Sequence, residues 1–146
     1  MKIRNGFVSN SSSSSFIVIS EKIQGEIDEL PHNLVIGQTG DCEFGWQFDR
    51  WMDFDSKLNF AYLQAKHKKE WMDMLYEVLK DYGAVNISVI LSEDFDVQDG
   101  LRSAYIDHQS SASEGKNTKI FDSKDHLVRF LFSRCSYIQG GNDNTF

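Results

Sequence analysis

Residues 56–83, SKLNFAYLQAKHKKEWMDMLYEVLKDYG, lie in the longest run of the chain without proline or internal glycine, and their spacing sets what the rest must pack against. Leu58, Ala61, Tyr62 and Ala65 recur at helical spacing, and Trp71, Leu75, Val78, Leu79 and Tyr82 form a second stripe. Asp55 or Ser56 can cap the start, and Gly83 stands where a left-handed C-terminal cap belongs. The polar run Lys66–Glu70 reads as a short break between two helices rather than the exposed side of one.

On the C-terminal side, AVNISVIL (84–91) alternates Val85, Ile87, Val89 and Leu91 on one face, which predicts a strand. SEDFDVQDG (92–100) is an acidic loop, SAYID (103–107) a short strand and HQSSASEGKNT (108–118) a polar loop. Asp122 or Ser123 opens a last helix, KDHLVRFLFSR, apolar nearly all round and therefore expected to be buried. SYIQGG (136–141) suits a final strand, with 140–146 a polar tail. On the N-terminal side, FIVI (16–19) is a short buried strand, preceded by a strand-like segment and serine-rich loop over 1–15. EKIQGEIDEL (21–30) places Ile23, Ile27 and Leu30 at helical spacing. LVIGQTGDCEFGWQF (34–48) reads as a hairpin turning at Gln38–Asp41, its second strand starting at Cys42. Interspersed helices and strands with a hairpin predict a single α+β domain, 1–146, whose sheet is mixed or mostly antiparallel with helices packed on one face.

A chain of 146 residues is long enough for one such core. Eleven Phe, five Tyr and three Trp supply it with apolar material and argue against disorder. The net charge of −7 works against nucleic acid as a partner, since phosphate binding needs clustered cations. The one basic cluster, Lys66, His67, Lys68 and Lys69, needs only solubility to explain it. Cys42 and Cys135 have no CxxC spacing and read as free, mostly buried thiols in a reducing compartment. MKIR is followed by NGFVSNSSSSS where a signal peptide needs an apolar run, and no stretch is apolar enough to span a bilayer. A cytoplasmic protein without membrane contact is expected.

Few motifs carry chemistry. The string Ser11, Ser12, Ser13, Ser14, Ser15 contains no glycine and leads into a strand, unlike a phosphate cradle that delivers its anion to a helix N-terminus. SNSS is similar to the Ser-Thr-Ser strand of ADP-ribosyltransferases, but Arg4 lies too close upstream and no E-x-E follows late in the chain. His32, His67, His108 and His126 are scattered, and DFDVQDG lacks the closing glutamate of a calcium loop, so neither metal nor other cofactor is expected. Asp107 and His108 stand where a strand hands over to a loop, with Ser110 and Ser111 nearby. Neighbours on a strand point to opposite faces, however, so this Asp does not readily orient this His. Asp143, in the turn-forming run Gly140, Gly141, Asn142, Asp143, Asn144, is a third candidate. In EFGWQFDRWMDF (43–54), Trp46, Trp51 and Phe54 are candidates for a protein-binding patch, against the simpler reading of core packing.

RNGFVSNSSSSSF (4–16), EFGW (43–46), YIDHQS (105–110) and QGGNDN (139–144) together resemble a set of uncharacterised small proteins of tailed bacteriophages and some bacteria. The resemblance implies an accessory protein made in an infected bacterial cell, with no activity, cofactor or catalytic residue to carry over. The leading expectation is therefore a non-enzymatic protein that binds, and in one version inhibits, a host or phage protein. The alternatives are a small hydrolase or nucleotide-acting enzyme using Asp107, His108 and Asp143 beside the serine string, and a packaged virion component for which that string is a recognition tag.

Overall fold

The computed structural model describes residues 13–23, 27–44, 49–93, 100–106 and 120–142, with the backbone alone at 13–16, 49, 141 and 142. The helical segment divides as its polar run predicts, into α1 (Phe54–Ala65) and α2 (Lys69–Asp81). The N-cap of α1 is Asp53, upstream of the expected pair, and its carboxylate accepts the Ser56 N–H at 2.9 Å, a contact typically worth about 1 kcal/mol. At the break, the N–H groups of His67 and Lys68 reach back only three residues, to Gln64 and Ala65, and Lys68 then turns extended. The basic cluster is a solvated turn: Lys66 pairs with Glu93 at 2.8 Å, Lys69 with Asp73 at 2.9 Å, and Lys68 lies over the Trp71 ring. α2 closes in a Schellman motif, with the Ala84 N–H on Leu79 and the Gly83 N–H on Lys80. Gly83 has φ +123°, and a Cβ there would stand 2.9 Å from the Leu30 carbonyl oxygen.

The last helix, α3 (Lys124–Phe132), is capped by Ser123, whose hydroxyl accepts the His126 N–H at 3.1 Å. It buries Leu127, Phe130 and Leu131 against the other two helices. α1 is the centre of the core. Phe60 and Leu63 are buried as fully as Leu58, Ala61 and Ala65, so the helix is enclosed on nearly every side.

The strands are β1 (Ser13–Val18), β2 (Asn33–Ile36), β3 (Glu43–Phe44), β4 (Asp49–Trp51), β5 (Asn86–Val89), β6 (Leu91–Ser92), β7 (Arg102–Ser103), β8 (Tyr105–Ile106) and β9 (Tyr137–Asn142). β1, β9 and β4 form an antiparallel sheet in that order. The others form parallel pairs, β2 with β5, β6 with β7 and β8 with β3. These pairs are successive steps of one arrangement. The segment carrying β5 and β6 changes partner at Ile90, whose N–H goes to Ile36 while its carbonyl accepts from Arg102. The result is the expected α+β class with mixed pairing.

Three local expectations are corrected. The hairpin over 34–48 does not form, because β2 and β3 pair with different strands and the chain between them is held elsewhere, as described below. Residues 21–23 and 27–30 are not helical, and the Leu30 N–H is bonded to the Tyr82 carbonyl at 2.8 Å. Val85 is 60 % exposed and lies before β5, since the N–H groups of both Val85 and Asn86 turn to the His32 carbonyl.

Candidate functional site

The antiparallel sheet brings together the two strings farthest apart in the chain. Val18 stands opposite Tyr137, Ile17 opposite Ile138, Phe16 opposite Gln139, Ser15 opposite Gly140, Ser14 opposite Gly141 and Ser13 opposite Asn142. On the far side of β9, Trp51 meets Ile138, Arg50 meets Gln139 and Asp49 meets Gly140. The sheet therefore changes character along its length. The row Ile17–Ile138–Trp51 belongs to the core, with Ile138 at 0 % and Trp51 at 2 % exposure; the next, Phe16–Gln139–Arg50, is mixed, and from there β1 and β9 pair serine with glycine and asparagine, with Asp49 of β4 beside Gly140. Glycine inside a strand offers no side chain to pack and commonly marks close approach of another backbone or a ligand.

Two expectations change here. Ser13, Ser14 and Ser15 are strand residues rather than a loop, because each has a backbone partner on β9. Equally, 140–142 is strand rather than tail. Ser11, Ser12, Asp107, His108 and Asp143 lie outside the described residues.

The apolar end of the sheet is anchored by a polar junction that sequence reading missed. Lys57, on α1, is 1 % exposed, and its ammonium donates to the carbonyls of Ser133 at 2.7 Å and Ser136 at 3.0 Å, at the end of α3 and in the turn before β9. The first of these carbonyls belongs to the C-cap of α3, where the negative end of the helix dipole favours a cation. Burial nevertheless pushes the Lys57 pKa down to about 8, while the Asp53 carboxylate and Cys135 act in the other direction. The Ser136 hydroxyl donates to Arg129 O and accepts from Ser20 N, each at 2.8 Å, and Arg129 donates to Ser20 O at 2.9 Å. Ser133 Oγ donates to Lys22 O at 3.1 Å. The segment leaving β1 and the turn entering β9 are thus tied to one point. The available signal was that Phe60 and Leu63 fall off the predicted stripe, which marks α1 as enclosed and any lysine on it as buried.

A second polar clamp explains the missing hairpin. Arg102 donates to the carbonyls of Gly37 at 2.6 Å and Gly40 at 3.0 Å, and Asn59 on α1 donates to those of Thr39 and Asp41, both at 3.0 Å. Asp41 in turn bonds Trp51 Nε1 at 2.6 Å and Ser56 Oγ through its N–H. The loop packs so closely on the start of α1 that a Cβ at Gly40, where φ is +81°, would stand 2.6 Å from Ser56 N. With four loop carbonyls taken by side chains, no turn is left to set β2 against β3.

The aromatic patch is corrected as well. Trp51 is buried and edge-on to Phe44 at 5.0 Å, and Phe44 is edge-on to Phe60 at 5.2 Å. Phe54 is half-buried and stacks on Phe132 at 5.3 Å. Both rings serve the core, and Trp46 lies outside the described residues. Of the cysteines, Cys42 is buried, bonds Ser103 O and has its thiol pKa raised by burial with Arg102 opposing, which disfavours a thiolate nucleophile. Cys135 is exposed rather than buried. Among the described residues no three His, Cys, Asp or Glu side chains are grouped to hold a metal ion, and no helix is long and apolar enough to cross a membrane. Comparison with family models, curated proteins and solved structures gave no match.

Proposed function

We propose that this chain is a non-enzymatic bacteriophage accessory protein that binds a host or phage protein through the end of the sheet carrying the serine string. One observation carries this reading. The serine string and the QGGN string, both part of the phage-like resemblance, meet as neighbouring strands, Ser13–Ser15 against Gly140–Asn142, beyond the last core row. Elsewhere among the described residues, Lys57, Asn59 and Arg102 are engaged in holding backbone carbonyls, and His126 contacts its own N-cap serine. The acidic surface suits a basic protein patch as partner.

Affinity capture with the full chain from phage-infected bacterial cells tests the proposal. A specific protein recovered near one-to-one is the expected result. Recovery of none above background would overturn it.

A further inference from the structure

We propose that the outer edge of β1 receives an extended, basic segment of another protein as an added strand, an inference that rests on the protein-binding reading above. Among the described residues β1 is an edge of the β1–β9–β4 sheet. Unpaired edges template aggregation, and folded proteins blunt them by shortness, charge or proline. Most of the other strands show such devices, the four-residue β5 (NISV) being an exception. β4 has three residues, two of them Asp49 and Arg50, and the Arg50 guanidinium lies 4.4 Å from the Tyr137 ring centroid. β3, β6, β7 and β8 have two residues each, and β2 follows closely on Pro31. β1 has six, SSSFIV, with neither charge nor proline.

An edge of that length and composition is suited to strand addition, in which main-chain hydrogen bonds supply the affinity and alternate side chains the selectivity. Net charge selects among occupants. A second copy would bring −7 against −7, whereas a basic segment is drawn to the acidic chain as a whole, the charges close to β1 being balanced: Glu21 and Lys22 are both exposed just beyond it, and Asp49 and Arg50 neighbour each other on β4. Serine and glycine opposite one another leave the incoming backbone little bulk to avoid.

Residue-resolved hydrogen exchange of the full chain tests this, with a short peptide of alternating threonine and valine carrying lysines at both ends as probe. In the dilute chain alone, every second β1 amide, those directed away from β9, should exchange freely, and the probe should slow them by about tenfold or more. A probe with glutamates in place of the lysines should not. Protection of all β1 amides in the dilute chain would show that its own residues cover the edge, protection that grows with protein concentration would show a second copy, and an equal response to both probes would show that charge does not select; each overturns the inference. In the capture experiment, Ser14→Lys should lose the partner and Ser14→Glu should retain it, with thermal unfolding confirming that both variants fold. Equal capture by native chain and Ser14→Lys would refute the edge while leaving the protein-binding reading intact. Absence of any partner for the native chain would refute that reading itself.

Discussion

α1 and β1 both carry polar residues beside apolar ones, and the two use them in opposite ways. In α1 most of the polar side chains, those of Ser56, Lys57, Asn59 and Gln64, are buried in the protein. Lys57 and Asn59, each 1 % exposed, hold four carbonyls belonging to other segments and so define where α3 ends and how the Gly37–Cys42 loop runs. In β1 the serines continue an apolar strand past the core, opposite a glycine-rich strand that asks for no packing. A buried polar group left unpaired costs about 1–3 kcal/mol, so most in α1 are answered within the fold, Asn59 Oδ1 and Gln64 Nε2 being the exceptions among the described residues. An edge strand answers to whatever docks there.

Removing the internal donors should therefore produce the largest losses of stability. Lys57→Met leaves the Ser133 and Ser136 carbonyls without their donor, at up to about 3 kcal/mol each, and no longer burying a charge returns about half of that, so the unfolding free energy should fall by a net of up to about 3 kcal/mol at pH 7. Chemical denaturation of both proteins checks this, and an unchanged midpoint would break the comparison with β1.

The same residue predicts a pH dependence. Its folded pKa of about 8 lies below the ordinary lysine value of 10.5, so between these values the unfolded chain binds more protons than the folded one and stability must rise with pH. At about 1.4 kcal/mol per pKa unit, the rise attributable to Lys57 is up to about 3 kcal/mol. It should appear as the difference between the native and Lys57→Met profiles, flat below pH 8 and growing above it.

Asn59→Ala should cost about 2 kcal/mol, through the Thr39 and Asp41 carbonyls. It should also raise amide exchange in the Gly37–Cys42 loop ahead of the helices, and uniform exchange across the protein would argue against a clamp. The smallest stability effect belongs to the edge: Ser14→Lys, opposite Gly141 and beyond the Ile17–Ile138–Trp51 row, should stay within about 0.5 kcal/mol of the native chain.

How much of this was legible follows from the range of the interactions. α2 announced itself because its apolar stripe, its break at Lys66–Lys68 and its Gly83 cap are all local. α3 and β9 were legible for the same reason. The Gly37–Cys42 loop was not, since Arg102 and Asn59, which hold it, lie far along the chain and nothing local distinguishes their loop from a hairpin turn. Ser13–Ser15 was misread because serine has little preference for strand over loop, and its extended form depends on pairing with Gly140–Asn142 at the opposite end of the sequence. The candidate site shares this character, being a meeting of two strings that neither one reveals alone.

The contrast between inward and edge polarity is tested most directly by captured-partner yield for native chain, Lys57→Met and Ser14→Lys, at a temperature where all three are folded. The account predicts near one-to-one yield with the native chain and Lys57→Met, and background yield with Ser14→Lys. A partner retained by Ser14→Lys, or lost equally from both variants, would contradict it.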